Sequence, residues 1–414
     1  MTASDVSAST HTSTTKLAWC AWASAALFFF YAWVLRVNPS VLVDELMAEL
    51  AVGGAFVGHL SAFYFYGYAG GQIPAGILLD RFGPRRLLTL AAVVCASGAF
   101  LFSISSDATT MSLARFVIGA GAAFSLIGSI HVAGQWLPAT RYAMLGGLAM
   151  GCGMAGGVVG QGPVRVAVDA WGWRAVMVAI SIAGLLLAAL LWSTVRDRSR
   201  GSGGLGAVLG GLAHVAGKRN NWLNAIAGLG VTGPLLGFGA LWGVPYLEQV
   251  LQLERAAAAG VASMTLAGMG FGAPLTGWLS DRLSSLRAPL LVGSAFSASA
   301  LAVLMFAPLT VWTASLACFA LGLATSSQIV NFTFARAYNP PEYRATANGL
   351  INGVVTGAGA LFQPAIGWVL DLNWDGRMQA GARIYAQSDF QWAFCLLLIA
   401  LAIGFCCALA LRIR

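Results

Sequence analysis

Charge is what most restricts this chain: only 9% of its residues are Asp, Glu, Lys or Arg, against 58% that are hydrophobic, whereas a soluble domain carries about 25% charge. The few charges are also clustered. They fall in short segments between about twelve apolar stretches of roughly 20 residues, each long enough to cross ~30 Å of hydrocarbon as a helix. Strand-length segments of alternating polarity, the mark of a membrane β-barrel, are lacking. The sequence therefore predicts an all-α polytopic membrane protein. Six spans are expected in residues 17–195 and six more in 221–414, joined by a polar linker at 196–220 and preceded by a Ser/Thr-rich disordered tail at 1–16.

Lys16, Arg81, Arg85, Arg86, Arg141, Arg196, Arg198, Lys218, Arg282 and Arg344 fall on one side of this arrangement. Asp44, Glu45, Glu49, Asp107, Asp169, Glu248, Asp371 and Asp389 fall on the other. By the positive-inside rule the first side is cytoplasmic, with both termini there, in a bacterial-type inner membrane. The formal charge of +8 forms no basic stripe beside stacking aromatics, so nucleic acid is not an expected partner. All seven cysteines lie in apolar stretches and read as small packing residues. No G-x-x-x-x-G-K-[ST] loop and no His/Cys/Asp cluster at ligand spacing is found. An ATP-driven pump, a metal site, a cofactor and an enzyme are all unsupported.

The stretch QIPAGILLDRFGPRR carries Gly76, Asp80, Arg81, Gly83, Arg85 and Arg86, and GWLSDRLSSLR repeats it with Gly277, Asp281, Arg282 and Arg287. An offset of about 200 residues argues for a duplicated body. Both stretches resemble the loop signature of the major facilitator superfamily. Arg115, Gly119, Gly121 and Ala123 resemble its second motif, R-x-x-x-G-x-G-x-A. This resemblance covers nearly the whole chain. It implies twelve helices in two six-helix pseudo-symmetric bundles that rock about a central site, working as a monomer on a small-molecule substrate in the lipid bilayer, with or without a coupling ion. Gating is expected from Gly76, Asp80, Arg81, Arg85, Arg86, Arg115, Asp281 and Arg282. Asp80 should lie near the start of span 11, around 344–348, and Asp281 near the start of span 5, around 141–144, each facing the positive end of a helix dipole.

Arg36 is the candidate anion-binding group. Arg36, Asn38, Ser40 and Val41 resemble the R-x-N-x-S-V run in span 1 of organic-anion:cation symporters, where the arginine engages a substrate carboxylate. A fixed cation in hydrocarbon costs about 2.5–3.5 kcal/mol by insertion scales unless it meets a wet cavity or a partner. The competing role is an ion pair with a carboxylate such as Glu248. Leu35 stands where the symporters carry an acid, and no carboxylate lies clearly inside a span, which speaks against proton coupling and leaves facilitated diffusion open. Tyr64, Tyr68, Gln161, Trp242, Tyr246, Gln328, Asn331 and Gln363, with Asn352, fall at depths where they can line a small polar cavity. The expectation is an alternating-access secondary transporter of a small polar solute, an organic anion foremost. A dipeptide or amino-acid carrier and a non-transporting sensor on the same fold are the alternatives.

Overall fold

The computed structural model describes residues 3–138, 141–197, 205–283 and 285–411, with the side chains of 3–16, 73, 76, 77, 80, 142, 143, 205–210, 281, 342 and 345 outside the described set. The first half is built from α1 (Ala3–Val37), α2 (Val43–Leu50), α3 (Gly54–Phe82), α4 (Pro84–Ile104), α5 (Ala108–Trp136), α6 (Tyr142–Trp171) and α7 (Trp173–Thr194). After α8 (Leu205–Ala216), α9 (Arg219–Pro234) continues through a π-helical stretch, Leu235–Trp242, into α10 (Gly243–Leu251). Then come α11 (Arg255–Leu283), α12 (Ala288–Phe306), α13 (Val311–Thr325), α14 (Val330–Tyr338), α15 (Arg344–Asn373) and α16 (Gln387–Ala410).

With α9–α10 and α13–α14 each taken as one interrupted rod, α2 as a short lead-in to α3, and α8 set aside as part of the connection between the halves, twelve rods result. Ten are long and apolar enough to cross a membrane by themselves, and the α2–α3 pair, bent by 114°, makes an eleventh. The remaining rod, α6, is diluted by glycines and by Gln161, Arg165 and Asp169. Successive rods run in opposite directions. Leu17, residues 195–197, residues 217–218 and Leu411 therefore share a basic end. α2 and the 252–254 and 374–386 segments share an acidic end, where the last carries a small hairpin of β1 (Met378–Gln379) and β2 (Ala382–Arg383).

The duplication is visible in how the rods touch. Gly119 of α5 packs on the carbonyl of Tyr64 in α3, and Gly322 of α13 packs on that of Thr265 in α11. Gly67 against the Phe116 carbonyl is repeated by Gly268 against that of Phe319. Close backbone approach of this kind needs residues without a side chain, because between membrane helices packing replaces the hydrophobic drive.

Two segments differ from their composition. α1 begins at Ala3, ahead of the apolar span that starts at Leu17. The linker holds α8, which stacks His214 on Tyr343 at 4.4 Å beside the start of α15. The interruption expected in the first span is present: α1 ends at Val37 and Asn38–Val41 form a 3-10 turn. Its cause is Pro39, which has no N–H to give the carbonyl of Leu35 four residues earlier.

Candidate functional site: a cationic, aromatic-walled cleft

Helical side chains lean toward the helix N-terminus, so Arg36, next to the end of α1, drops its guanidinium from the acidic end toward the middle of the bundle. There it is only 3% exposed. Nε donates to the Tyr64 hydroxyl at 3.2 Å, and the rings of Trp33 and Tyr68 flank the guanidinium carbon at 4.3 and 4.6 Å. Nη2 is buried with no partner. Glu248 does not pair with it, because that carboxylate accepts from Arg255 Nε at 3.2 Å.

Arg115, 2% exposed, lies on the other side of Tyr64, its guanidinium carbon 5.0 Å from the ring centre. It donates from Nη1 to the Leu35 carbonyl at 2.7 Å and from Nη2 to the Arg36 carbonyl at 3.3 Å. Pro39 and Arg115 thus form one device: the proline frees a carbonyl and the arginine occupies it. Nε of Arg115 has no partner. Two buried cations therefore share one tyrosine, and no carboxylate bonds either of them among the described residues.

This cationic pair borders a cleft. Among the described residues, α1 and α5 make no extended contact with α9, α13 or α14, whereas the 38–41 turn packs against the π-helical stretch and α10 at the acidic end. That end is bonded shut. Arg255 of the second half holds Asp44 and Glu45 of α2 together with its own Glu248, and Arg165 holds Glu45 and Asp169. On the opposite seam the Asp371 carboxylate accepts from the backbone N–H groups of Gly54 and Ala55, both at 2.9 Å, at the positive start of α3. Arg383 Nη1 donates to the same carboxylate at 3.0 Å, and Tyr385 donates its hydroxyl proton. Burial, and then the neighbouring Asp371, hold the Tyr385 phenol well above its ordinary range, which keeps it a donor.

Toward the basic end the halves part. α6 and α11 meet at Gly162 with Gly260, Gly157 with Leu266 and Met154 with Gly270, but beyond these Gly151, Gly147 and Gly277 face open space. On the α3–α15 seam, Asn352 Nδ2 donates to Gln72 Oε1 at 2.9 Å. The cleft is closed at the acidic end, and among the described residues its α6–α11 side opens toward the basic one.

The other expected lining residues divide. Tyr64 and Tyr68 stand at Arg36, stacked at 5.9 Å. Gln161 donates to the Gly239 carbonyl at 2.7 Å and Gln363 to that of Leu236 at 2.8 Å, both in the π-helical stretch, while Trp242 Nε1 donates to the Gln363 carbonyl at 2.8 Å. All three are fully buried, and the Gln161 bond crosses from the first half to the second. Tyr246 does not line the cleft: its hydroxyl donates to the Leu304 carbonyl and its ring packs on Phe238, Phe390 and Phe394 inside the second half. Gln328 accepts from the Thr232 hydroxyl. Asn331 lies buried beside Gly228 and keeps both side-chain polar atoms without a partner.

Of the expected gating residues, the side chains of Asp80 and Asp281 and position 76 lie outside the described ones. Arg81, Arg86 and Arg282 are exposed. Arg85 ties α4 to the end of α7, donating from Nε to the Trp192 carbonyl at 2.8 Å and from its backbone N–H to Asp197 at 3.0 Å. Gly83 makes that possible, with φ of +82° and the Asp197 carboxylate where a side chain would stand. The acidic-end network was missed by reading residues singly. The available signal was the recurrence of Asp169 and Asp371 at matching places in the two halves.

A family model described as Major Facilitator Superfamily matches residues 21–364. The probable sulfoacetate transporter SauU of Cupriavidus necator is 26% identical over 175 residues, 42% of this chain and 41% of SauU. The probable galactarate/D-glucarate transporter GudP of Bacillus subtilis is 26% identical over 168 residues, 39% of this chain and 37% of GudP. The match thus spans about two fifths of each curated relative's length. A bacterial homolog of the human lysosomal transporter Spinster, solved in an inward-facing and occupied conformation, superposes with a TM-score of 0.73 over 95% of this chain and 98% of that one at 18% identity. At that identity the likeness is one of fold.

Proposed function

Because this chain belongs to the Major Facilitator Superfamily and is a transporter rather than an enzyme, we propose that it carries a small organic anion through the cleft between its halves, with Arg36 as the group that binds the anion. The observation that carries this reading is the Arg36 Nη2, buried and unpartnered. A guanidinium offers a planar fork that matches a carboxylate or sulfonate. Trp33, Tyr64 and Tyr68 hold that fork in place by their faces. SauU and GudP, named for sulfoacetate and for galactarate and D-glucarate, support an acidic substrate. In this reading the basic end is cytoplasmic, the membrane is a bacterial inner membrane, and the splayed cleft is an inward-facing state. Alternating access then requires the acidic-end network to break as the basic end closes.

The test is ligand-induced stabilisation of the purified protein by sulfoacetate and D-glucarate, since a ligand that binds the folded state raises the melting temperature. Arg36→Lys keeps the charge and loses the fork. Losing one charge-assisted bond of about 1.5–3 kcal/mol should weaken affinity by roughly ten- to a hundredfold, with the ligand-free melting temperature nearly unchanged. A large loss of melting temperature with unaltered affinity would make Arg36 a structural residue and end this reading.

A further inference from the structure

We propose that the gap between α6 and α11 takes one acyl chain of an anionic phospholipid from the leaflet at the basic end, with Arg141 and Arg282 holding its headgroup, and that this lipid keeps the two halves apart there. The contacts between the two rods fix their register. Gly162 meets Gly260, Gly157 meets Leu266 and Met154 meets Gly270, so the rods run antiparallel. Carried on toward the basic end, that register sets Gly147 level with Gly277 and Arg141 level with Arg282, one of each pair from either half. Gly147, Gly151 and Gly277 have nothing within 4 Å of the place a side chain would take. The rods have diverged there and leave a slot.

The outer side of this slot is apolar. Met144, Leu148 and Ala155 of α6 and Phe271, Leu275 and Trp278 of α11 are exposed, at spacings that put each set along one edge of its rod. On both rods that edge is turned the same way from the contacting residues, and for two antiparallel right-handed helices this brings both edges to one side of the seam. Arg141 and Arg282 are exposed at the foot of the same two edges. Their guanidinium carbons lie 5.8 Å from the ring centre of Trp19 and 5.3 Å from that of Trp278. Among the described residues, neither arginine makes an ion pair.

The slot is one leaflet deep. From Arg141 to Met154 α6 rises roughly 20 Å, and half of a bilayer ~40–45 Å thick with its headgroups is about 20–22 Å. A soluble anion would answer the two arginines and leave the apolar edges bare. A lipid without net charge would cover the edges and leave the arginines unanswered, whereas an anionic phospholipid does both. Its second chain stays in the bilayer. The inserted chain fills space that vanishes when α6 and α11 meet along their whole length, so the lipid binds the form that is open at the basic end and shifts the population toward it. The chain has to withdraw each time that end closes.

The experiment uses the full chain and two lipids with the same acyl chains, dioleoylphosphatidylglycerol and dioleoylphosphatidylcholine. In native mass spectrometry of the purified protein, phosphatidylglycerol should be retained over phosphatidylcholine by roughly thirtyfold, the preference expected of two arginines at a membrane surface, and Arg141→Gln with Arg282→Gln should remove most of it. In phosphatidylcholine nanodiscs, nitroxides at Ser193→Cys and Ala337→Cys, exposed positions on opposite halves at the basic end, should report a longer distance once phosphatidylglycerol is added. Gly147→Leu with Gly277→Leu fills the slot and leaves both arginines in place, so added phosphatidylglycerol should no longer change that distance. Equal retention of the two lipids would overturn the headgroup site. Glycerol phosphate displacing the bound lipid as well as phosphatidylglycerol does would make this a site for soluble phosphate and overturn the lipid. A distance that phosphatidylglycerol leaves unchanged in the parent, or still lengthens fully in the slot-filled variant, would overturn the inserted chain. The parent's response to the two lipids decides the matter even where a variant does not fold.

Discussion

Asp371 is the residue whose removal should move the transporter's resting state furthest. Its carboxylate on α15 accepts from the N–H groups of Gly54 and Ala55 across the seam between the halves. In Asp371→Ala, Tyr385 still accepts from the Gly54 N–H at 2.8 Å, so of the bonds across the seam only that from Ala55 is lost outright. A charge-assisted bond of that kind contributes about 1.5–3 kcal/mol, and the carboxylate's interaction with the start of α3 adds about 0.3–1 kcal/mol. The acidic-end-closed state should therefore lose about 2–4 kcal/mol relative to the open one, a shift of roughly 30- to 700-fold in their ratio. Nitroxide labels at Ser106 and Pro308, exposed positions on opposite halves at the acidic end, report the opening as a longer distance by pulsed electron resonance in a cysteine-free background. Tyr385→Phe, which leaves the carboxylate in place, should shift the distribution less. A distance distribution in Asp371→Ala that matches the parent would show that this carboxylate does not hold the seam.

Arg255→Gln should free the other seam, so that Val244→Cys, beside Asp44 and Glu45, reacts faster with an impermeant maleimide; an unchanged rate would remove Arg255 from the gate. Tyr246→Phe should lower stability by about 1–3 kcal/mol by stranding the Leu304 carbonyl, without altering anion affinity, and a loss of affinity would return Tyr246 to the site. Gly119→Val would drive a branched side chain into the Tyr64 carbonyl, costing about 1–3 kcal/mol or more in melting stability. It should weaken anion binding as well, since Tyr64 holds Arg36.

The span pattern and the duplication were legible because both rest on local composition: apolar length, small residues and a loop that recurs. Arg36 was legible for a related reason, since an arginine, an asparagine and a proline in an apolar run have few explanations. Of its cage Tyr64 and Tyr68 were anticipated from their depth and Trp33 was not; how the rings lie against the guanidinium depends on the packing of one rod on another. The seam bonds were out of reach for the same physical cause: Gly54 meets Asp371 only after both halves fold. Tyr246 shows the limit of depth as a guide. Residues at one level of a rod point in different directions, and the π-helical stretch before it rotates the face that a regular helix would present. The segment 196–220 reads as a polar linker, yet it contains α8, whose His214 stacks on Tyr343.

Pro39 and Arg115 stand on separate rods, but neither can drift independently. Restoring an N–H at position 39 would let the first rod satisfy its own Leu35 carbonyl and evict the guanidinium into hydrocarbon; replacing the arginine alone would leave two bared carbonyls with water excluded. A lineage leaving this arrangement has to pass through a double change. Anyone transplanting the Arg36–Val41 segment into another scaffold as an anion-binding cassette has to bring the arginine of the fourth rod with it.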